Sequence, residues 1–217
     1  MLINNLGSLK AELSRYMFQQ RFAPDYDTAV QNFEALANRR LRVRPMEAVT
    51  NLTTTNGETA IPPDYLLWRT VLWAGRTPYP ELEYVHPAYL RSTWIETDHG
   101  DPKIFTIEGN TFKARPVRDD ADAYEFHYYQ KIPSLNGTIA GDNTTNWLLT
   151  AHPDLYLEGT LFELFVLGRN GEAAVAHKQL RDEKIAELIQ FSALTTGATS
   201  SLVRGEGSAL GSGGEYF

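Results

Sequence analysis

The 217-residue chain has no cysteine. That excludes disulfides, thiolate catalysis and cysteine-bound zinc, and it fits a protein built in a reducing compartment. No run of about 18 apolar residues occurs, so no segment reads as a membrane span. The first residues lack the basic-then-apolar pattern of a secretory signal, so the chain is expected to stay in the cytosol or to join something there. Basic charge is also in short supply: 20 Lys and Arg stand against 27 Asp and Glu, a net charge of -7. A general nucleic-acid binder needs a basic face for phosphates, so that class is disfavoured.

Chemistry-bearing patterns are scarce too. The five histidines, His86, His99, His127, His152 and His177, show no i, i+4 pair and no recognised zinc spacing. His127 alternates with Glu125 and Tyr129 along one strand face, which suits a ligand, a base, or simply a surface or interface residue. His152 stands just before a proline and reads as a capping position. Gly205-Glu206-Gly207 and Gly211 to Gly214 have no helix after them, so they are poor phosphate loops. No Gly-x-Ser-x-Gly elbow lies in the body of the chain. No cofactor, metal site or catalytic residue is expected, and the chain reads as a non-enzyme.

What is present is a strong core element. Residues 146–168 hold Pro153, which suits a first helical position, and Asp154, which suits the positive end of the dipole. Leu157, Leu161, Leu164, Phe165 and Gly168 then draw one stripe, while Leu155, Tyr156, Phe162 and Val166 make much of the rest apolar. Such a helix is buried on several sides. Two helices are expected before it, over 6–22 and about 25–42, the first capped at Ser8 without a full capping box. The second ends in Arg39, Arg40 and Arg42, with Arg44 just beyond. These cations suit the negative end of the dipole; the sharper reading is an anion or partner-contact patch. A last helix spans about 172–194, with Val175, Leu180, Ile185, Leu188 and Ile189 as apolar positions. Arg181, Asp182, Glu183, Lys184 and Glu187 form its wet face.

Between the helical parts the pattern changes to strands. Val49 and Leu52 to Thr55, then Asn56-Gly57, then Thr59 to Ile61 read as strand, turn and the start of a second strand. Trp68 to Trp73 makes another strand, and Pro87 to Glu96 suits a short helix. Phe105/Ile107, Phe112/Ala114 and Tyr124/Phe126/Tyr128 alternate with polar residues, as in antiparallel strands with one packed face. Tyr65, Tyr79, Tyr84, Tyr89, Trp94, Tyr128 and Tyr129 crowd this region. They supply either a sandwich core or an aromatic interface, with Tyr128 and Tyr129 as interface candidates.

The fold class is therefore α+β. The N- and C-terminal helix pairs form a four-helix bundle (1–44 and 146–196), with an antiparallel β platform (45–145) inserted between them. Residues 197–217 are rich in Gly and Ser and are expected to be a flexible arm. Extended, they reach roughly 70 Å. Glu215, Tyr216 and Phe217 at the tip are either a chance ending or an anchor that orders against a partner.

Several stretches carry a family resemblance. They are Ala-Asn-Arg-Arg-Leu-Arg-Val-Arg at 37–44, Ile-Pro-Pro-Asp-Tyr-Leu at 61–66 followed by Trp68-Arg69, and Tyr-Tyr-Gln-Lys-Ile-Pro-Ser-Leu at 128–135. Asn146-Trp147-Leu148-Leu149 and His152-Pro153-Asp154-Leu155-Tyr156-Leu157 are the strongest. In this order and spacing, over about 5–195, the chain resembles the head-to-tail adaptors (connector or tail-tubular-A type) of tailed bacteriophages with short tails. The resemblance implies a virion protein of the neck, assembled in the host cytoplasm into a ring of about twelve copies. It would bind the portal protein on one side and the next tail or nozzle protein on the other, with no membrane partner. DNA would pass through the channel unbound. It further implies a C-terminal docking arm, here Gly197, Leu202, Arg204, Leu210, Glu215, Tyr216 and Phe217. Arg39, Arg40, Arg42 and Arg44 join Tyr128 and Tyr129 as interface candidates. The competing readings are another neck or tail-completion ring, a virion glycan hydrolase, or a sugar-binding module.

Overall fold

The computed structural model describes residues 3–17, 25–93, 99–118, 121–136 and 141–203. In chain order come α1 (Leu6–Met17), α2 (Tyr26–Arg40), β1 (Glu47–Thr54), β2 (Glu58–Ala60), β3 (Tyr65–Trp73), β4 (Glu83–Tyr84) and α3 (Pro87–Thr93). Next are β5 (Ile104–Glu108), β6 (Thr111–Arg115), β7 (Asp122–Gln130), α4 (Trp147–Ala151), α5 (Pro153–Leu167) and α6 (Gly171–Val203). The chain divides into two compact units: residues 45–132, and residues 1–44 with 133–217.

In the helical unit, α5 is the central element. Leu155, Tyr156, Gly159, Thr160, Leu161, Leu164 and Phe165 are all buried, and they point in more than one direction round the helix. Pro153 and Asp154 occupy the first turn as the sequence indicates. His152 takes the N-cap position, but its side chain makes no capping bond. Gly159 lets α2 come close: a Cβ there would lie 2.1 Å from the Phe33 ring. Phe33 in turn meets Tyr156 edge-on, with ring centroids 5.0 Å apart. The packing of α1, α2 and α6 round α5 is an all-helical core rather than a demonstrated four-helix bundle.

The start of α1 corrects the expected cap. The capping residue is Asn5, whose Oδ1 accepts from the Ser8 N–H at 2.8 Å, while Ser8 Oγ accepts from the Asn5 N–H at 3.1 Å. That is a reciprocal box, with serine doing what Glu or Gln usually does. Residues 18–22, also expected in this helix, lie outside the described residues.

A buried carboxylate ties the unit together. Glu34, only 5% exposed, accepts from Ser134 Oγ (2.7 Å), the Leu135 N–H (2.9 Å) and the Tyr156 hydroxyl (3.0 Å). Asn146 extends the network. Its Nδ2 donates to the Pro133 carbonyl at 2.7 Å and to Tyr156 Oη at 2.8 Å, while its Oδ1 caps α4 at the Leu149 N–H. Residues 133–136 and 141–145, expected with the β block, therefore join the helices. Burial, and then the adjacent Glu34 charge, pushes the Tyr156 phenol far above its ordinary range, so it stays a donor.

Two sheets face each other in the other unit. One has the order β1-β7-β3, all antiparallel; the other is β2-β6-β5-β4. The two-residue β4 runs parallel to β5, so the platform is not wholly antiparallel. Leu52, Val71, Trp73, Tyr124, Phe126 and Tyr128 meet Phe105, Phe112 and Ala114 in the core. The expected turn at Asn56-Gly57 carries both residues into the left-handed region (φ 54° and 70°), as a type I′ hairpin requires. Here the hairpin hands the chain from one sheet to the other.

Replacing Glu34 with Ala strands two buried donors, the Leu135 N–H and the Tyr156 hydroxyl, and releases the Ser134 hydroxyl. The variant is expected to lose about 3 kcal/mol of stability in urea unfolding, and Glu34→Gln less. Equal stability of Glu34→Ala and wild type would remove the network from its central place.

Candidate interaction surfaces

The arginines at the end of α2 do not share one role. Arg42 turns back on its own helix, donating to the Asn38 carbonyl at 2.7 Å, so it caps rather than reaches out. Arg40 pairs with Asp182 of α6. Arg39 is exposed and acts on Glu163 of α5, whose carboxyl burial pushes up while the Arg181 and Arg39 charges pull it down. Arg44 is exposed, and its N–H donates to Ser192 Oγ at 3.2 Å. Most of the cluster thus serves the helical unit itself, and Arg39 and Arg44 remain as outward cations.

The wet face expected on α6 needs correction at Arg181. That residue is 3% exposed, with its guanidinium 4.3 Å over the Phe162 ring and its Nε and Nη2 donating to Asp182. Partial burial pushes the Asp182 carboxyl up, but the bonds from Arg40 and Arg181 more than offset this, holding it below the ordinary range. Conversely Val175, Leu180 and Ile189, expected to be buried, are 67%, 42% and 41% exposed. The helix also runs past its expected end near 194, so Gly197 and Leu202 lie within α6. Arg204, Leu210, Glu215, Tyr216 and Phe217 lie outside the described residues.

The platform aromatics divide between core and surface. Tyr128, a candidate for the interface, is instead buried between the sheets and donates to Asp64 Oδ1 at 3.1 Å. Tyr65 packs against the same core. Tyr79, Tyr84 and Tyr89 are exposed, and Trp94 lies outside the described residues. Tyr129 is half-buried on the outer face of the first sheet, with Arg69 5.4 Å over its ring and Glu47 paired to Arg69. Beside it His127 meets Glu125 at 2.7 Å, and Val49 and Leu67 stand exposed. These two aliphatics had no signal in the sequence beyond strand alternation.

The sheet edges are unequal. β2 and β4 are three and two residues long. β3 carries two register shifts; its Trp68 N–H is taken by Tyr65 Oη, and residues 80–82 pair with Val71 and Trp73. Short length, irregularity and cover are the usual protections of an edge. β1 has none of them. It pairs with β7 in unbroken register over eight residues, contains no proline or lysine, and has no second backbone partner among the described residues.

Among the described residues no three His, Asp or Glu side chains converge as a metal site would, and no helix is long and apolar enough to cross a membrane. The SU10 adaptor protein model matches residues 4–205. The chain belongs to the SU10 adaptor family. This is a family of phage head-to-tail adaptors, structural components of the virion that interact with portal and tail proteins. A comparison with curated proteins found no match. Three of the stretches that carry the resemblance in the sequence meet at one joint: Ser134, Leu135 and Tyr156 donate to Glu34, and Asn146 donates to Tyr156 and to the Pro133 carbonyl.

Burial, and then the Asp64 charge, pushes the Tyr128 phenol up to about 12. Its protonated form is therefore stabilised in the fold. That contribution is complete below the ordinary phenol value of about 10 and is lost as pH rises through about 12. The stability gap between wild type and Tyr128→Phe, about 1 kcal/mol, should be flat below pH 10 and shrink above it. A gap that does not change with pH would contradict the buried Tyr128–Asp64 bond.

Proposed function

We propose that this SU10-family adaptor forms a ring of about twelve copies at the phage neck, bridging the portal to the next tail protein and continuing the DNA channel. The match over residues 4–205 carries this reading. The net charge of -7 supports it, since an acidic wall gives passing phosphates nothing to bind. The role is mechanical and needs no cofactor and no catalysis.

In this reading the helical unit serves the portal side, and residues 204–217 with the end of α6 form the docking arm. The β unit receives the next tail component. Its bare β1 edge and the Val49 and Leu67 side chains suit an incoming extended strand, which would bond along the edge while its side chains meet the outer face.

The first test is the mass of the full chain alone and after mixing with purified portal rings. The expected result is a ring-sized addition to the portal. Removing 204–217 should leave the thermal transition unchanged and abolish portal binding; undiminished binding would end the arm assignment. A second variant addresses the platform. Asn51→Pro removes a ladder N–H from β1 and should weaken binding of the tail partner about tenfold or more without affecting portal binding. If tail binding survives, β1 is not the docking edge.

A further inference from the structure

The helical unit carries two exposed apolar patches, one at the start of α6 and one further along it. The first lies at the α5–α6 turn, where Val166 is 48%, Leu167 46% and Val175 67% exposed. Tyr16, 48% exposed, stands beside it, edge-on to His177. The second follows α6 toward its C-terminus, where Leu180 is 42%, Phe191 66% and Leu194 66% exposed. Single exposed aliphatics are ordinary, but large side chains clustered at two-thirds exposure mark surfaces that something covers.

Helix geometry separates these patches from the buried face. At 100° per residue, Leu180, Glu183, Glu187, Phe191 and Leu194 fall within about 80° of one another. The buried residues Ala174, Arg181, Ile185 and Leu188 centre about 130° away. Val175 and Leu194 are about 29 Å apart along the axis, too far to form one patch. Lys184 pairs with Asp154 in the first turn of α5, so the last turns of α6 run past the start of α5. Phe191 and Leu194, the distal part of the second patch, therefore sit where the helix has outrun its main partner.

The rims differ in sign. Exposed Arg169 and Lys178 border the patch at the turn and outnumber the one exposed acid there, Glu172, whereas exposed Glu183 and Glu187 lie within the distal stripe. Two acidic stripes repel each other, so a symmetric pairing of like patches is disfavoured. Opposite rims complement each other, and two different patches on one subunit generate a head-to-tail contact that repeats.

We propose that neighbouring copies of this chain associate through these two patches, the basic-rimmed α5–α6 turn of one copy seating on the acidic-rimmed distal stripe of α6 in the next. The proposal rests on the ring reading above and names the surfaces that close the ring.

The chain's lack of cysteine makes the test clean. Full-length Val175→Cys and Leu194→Cys proteins are assembled on portal rings, separately and mixed, and treated with a flexible bismaleimide. The mixture should give crosslinked dimers, neither protein alone should, and the double variant should give a ladder ending at the ring mass. In parallel, Glu183→Lys with Glu187→Lys should cut ring assembly about tenfold, as should Arg169→Glu with Lys178→Glu. Combining all four should restore it. All these sites are exposed, and unchanged melting curves confirm folding. Crosslinking of Leu194→Cys alone, or charge reversals without effect, would overturn the pairing. A ring-sized mass on the portal without a ladder would reject these surfaces and leave the ring intact. With no ring-sized mass at all, the ring reading itself falls, and this pairing with it.

Discussion

A single buried carboxylate holds the helical unit in register. Glu34 belongs to α2, yet its three hydrogen-bond donors come from two other places in the chain: the segment at 134–135 and Tyr156 in the first turn of α5. Burying a carboxylate is costly unless it is well hydrogen-bonded, and here three donors engage both of its oxygens. The chain leaves the helical unit after Arg44 and returns at Pro133, so the junction must be fixed by something other than sequence proximity. Glu34 does this at the point of return, and Asn146 repeats the contact one step later through the Pro133 carbonyl. Residues that look unrelated along the sequence thus answer to one local demand for polar satisfaction.

Apolar contact supplies the rest of the order. Gly159 removes a side chain where the Phe33 ring must pass, and Tyr156 packs against that ring while its hydroxyl reaches Glu34. One tyrosine therefore belongs to the hydrophobic core and to the polar network together. The β unit uses the same device: Trp73 is buried and donates its indole N–H to Asp122 at 3.1 Å. Large aromatics with a polar handle suit a small unit, because each buries much area and fixes its own orientation.

Features with strong local causes were legible in the sequence. Asn56-Gly57 dictates a left-handed turn, Pro153 starts α5, and the alternation of Tyr124, Phe126 and Tyr128 assigns them to one packed face. Features decided by tertiary partners were not. Arg181 has the composition of a wet face, and only the Phe162 ring and Asp182 explain its burial. Val175, Leu180 and Ile189 obey helical spacing as well as Ile185 and Leu188 do, and spacing cannot say which apolar stripe is covered. Tyr128 looked available as an interface aromatic because a sequence cannot show that Asp64 lies within reach of its hydroxyl. The two residues of β4 are too few for any periodic signal.

The unprotected edge of β1 also bears on the chain before it meets a partner. An eight-residue strand whose outer backbone groups have no second partner among the described residues is a template for any extended polypeptide nearby, including misfolded copies of itself. A newly made subunit is thus in a race between productive docking and nonspecific stacking. The outcome depends on how quickly the correct neighbour arrives relative to the free subunit concentration. On the docking role proposed for β1, timing of synthesis would become part of the structural specification, and a gradual supply of the chain to its partner would favour the productive branch.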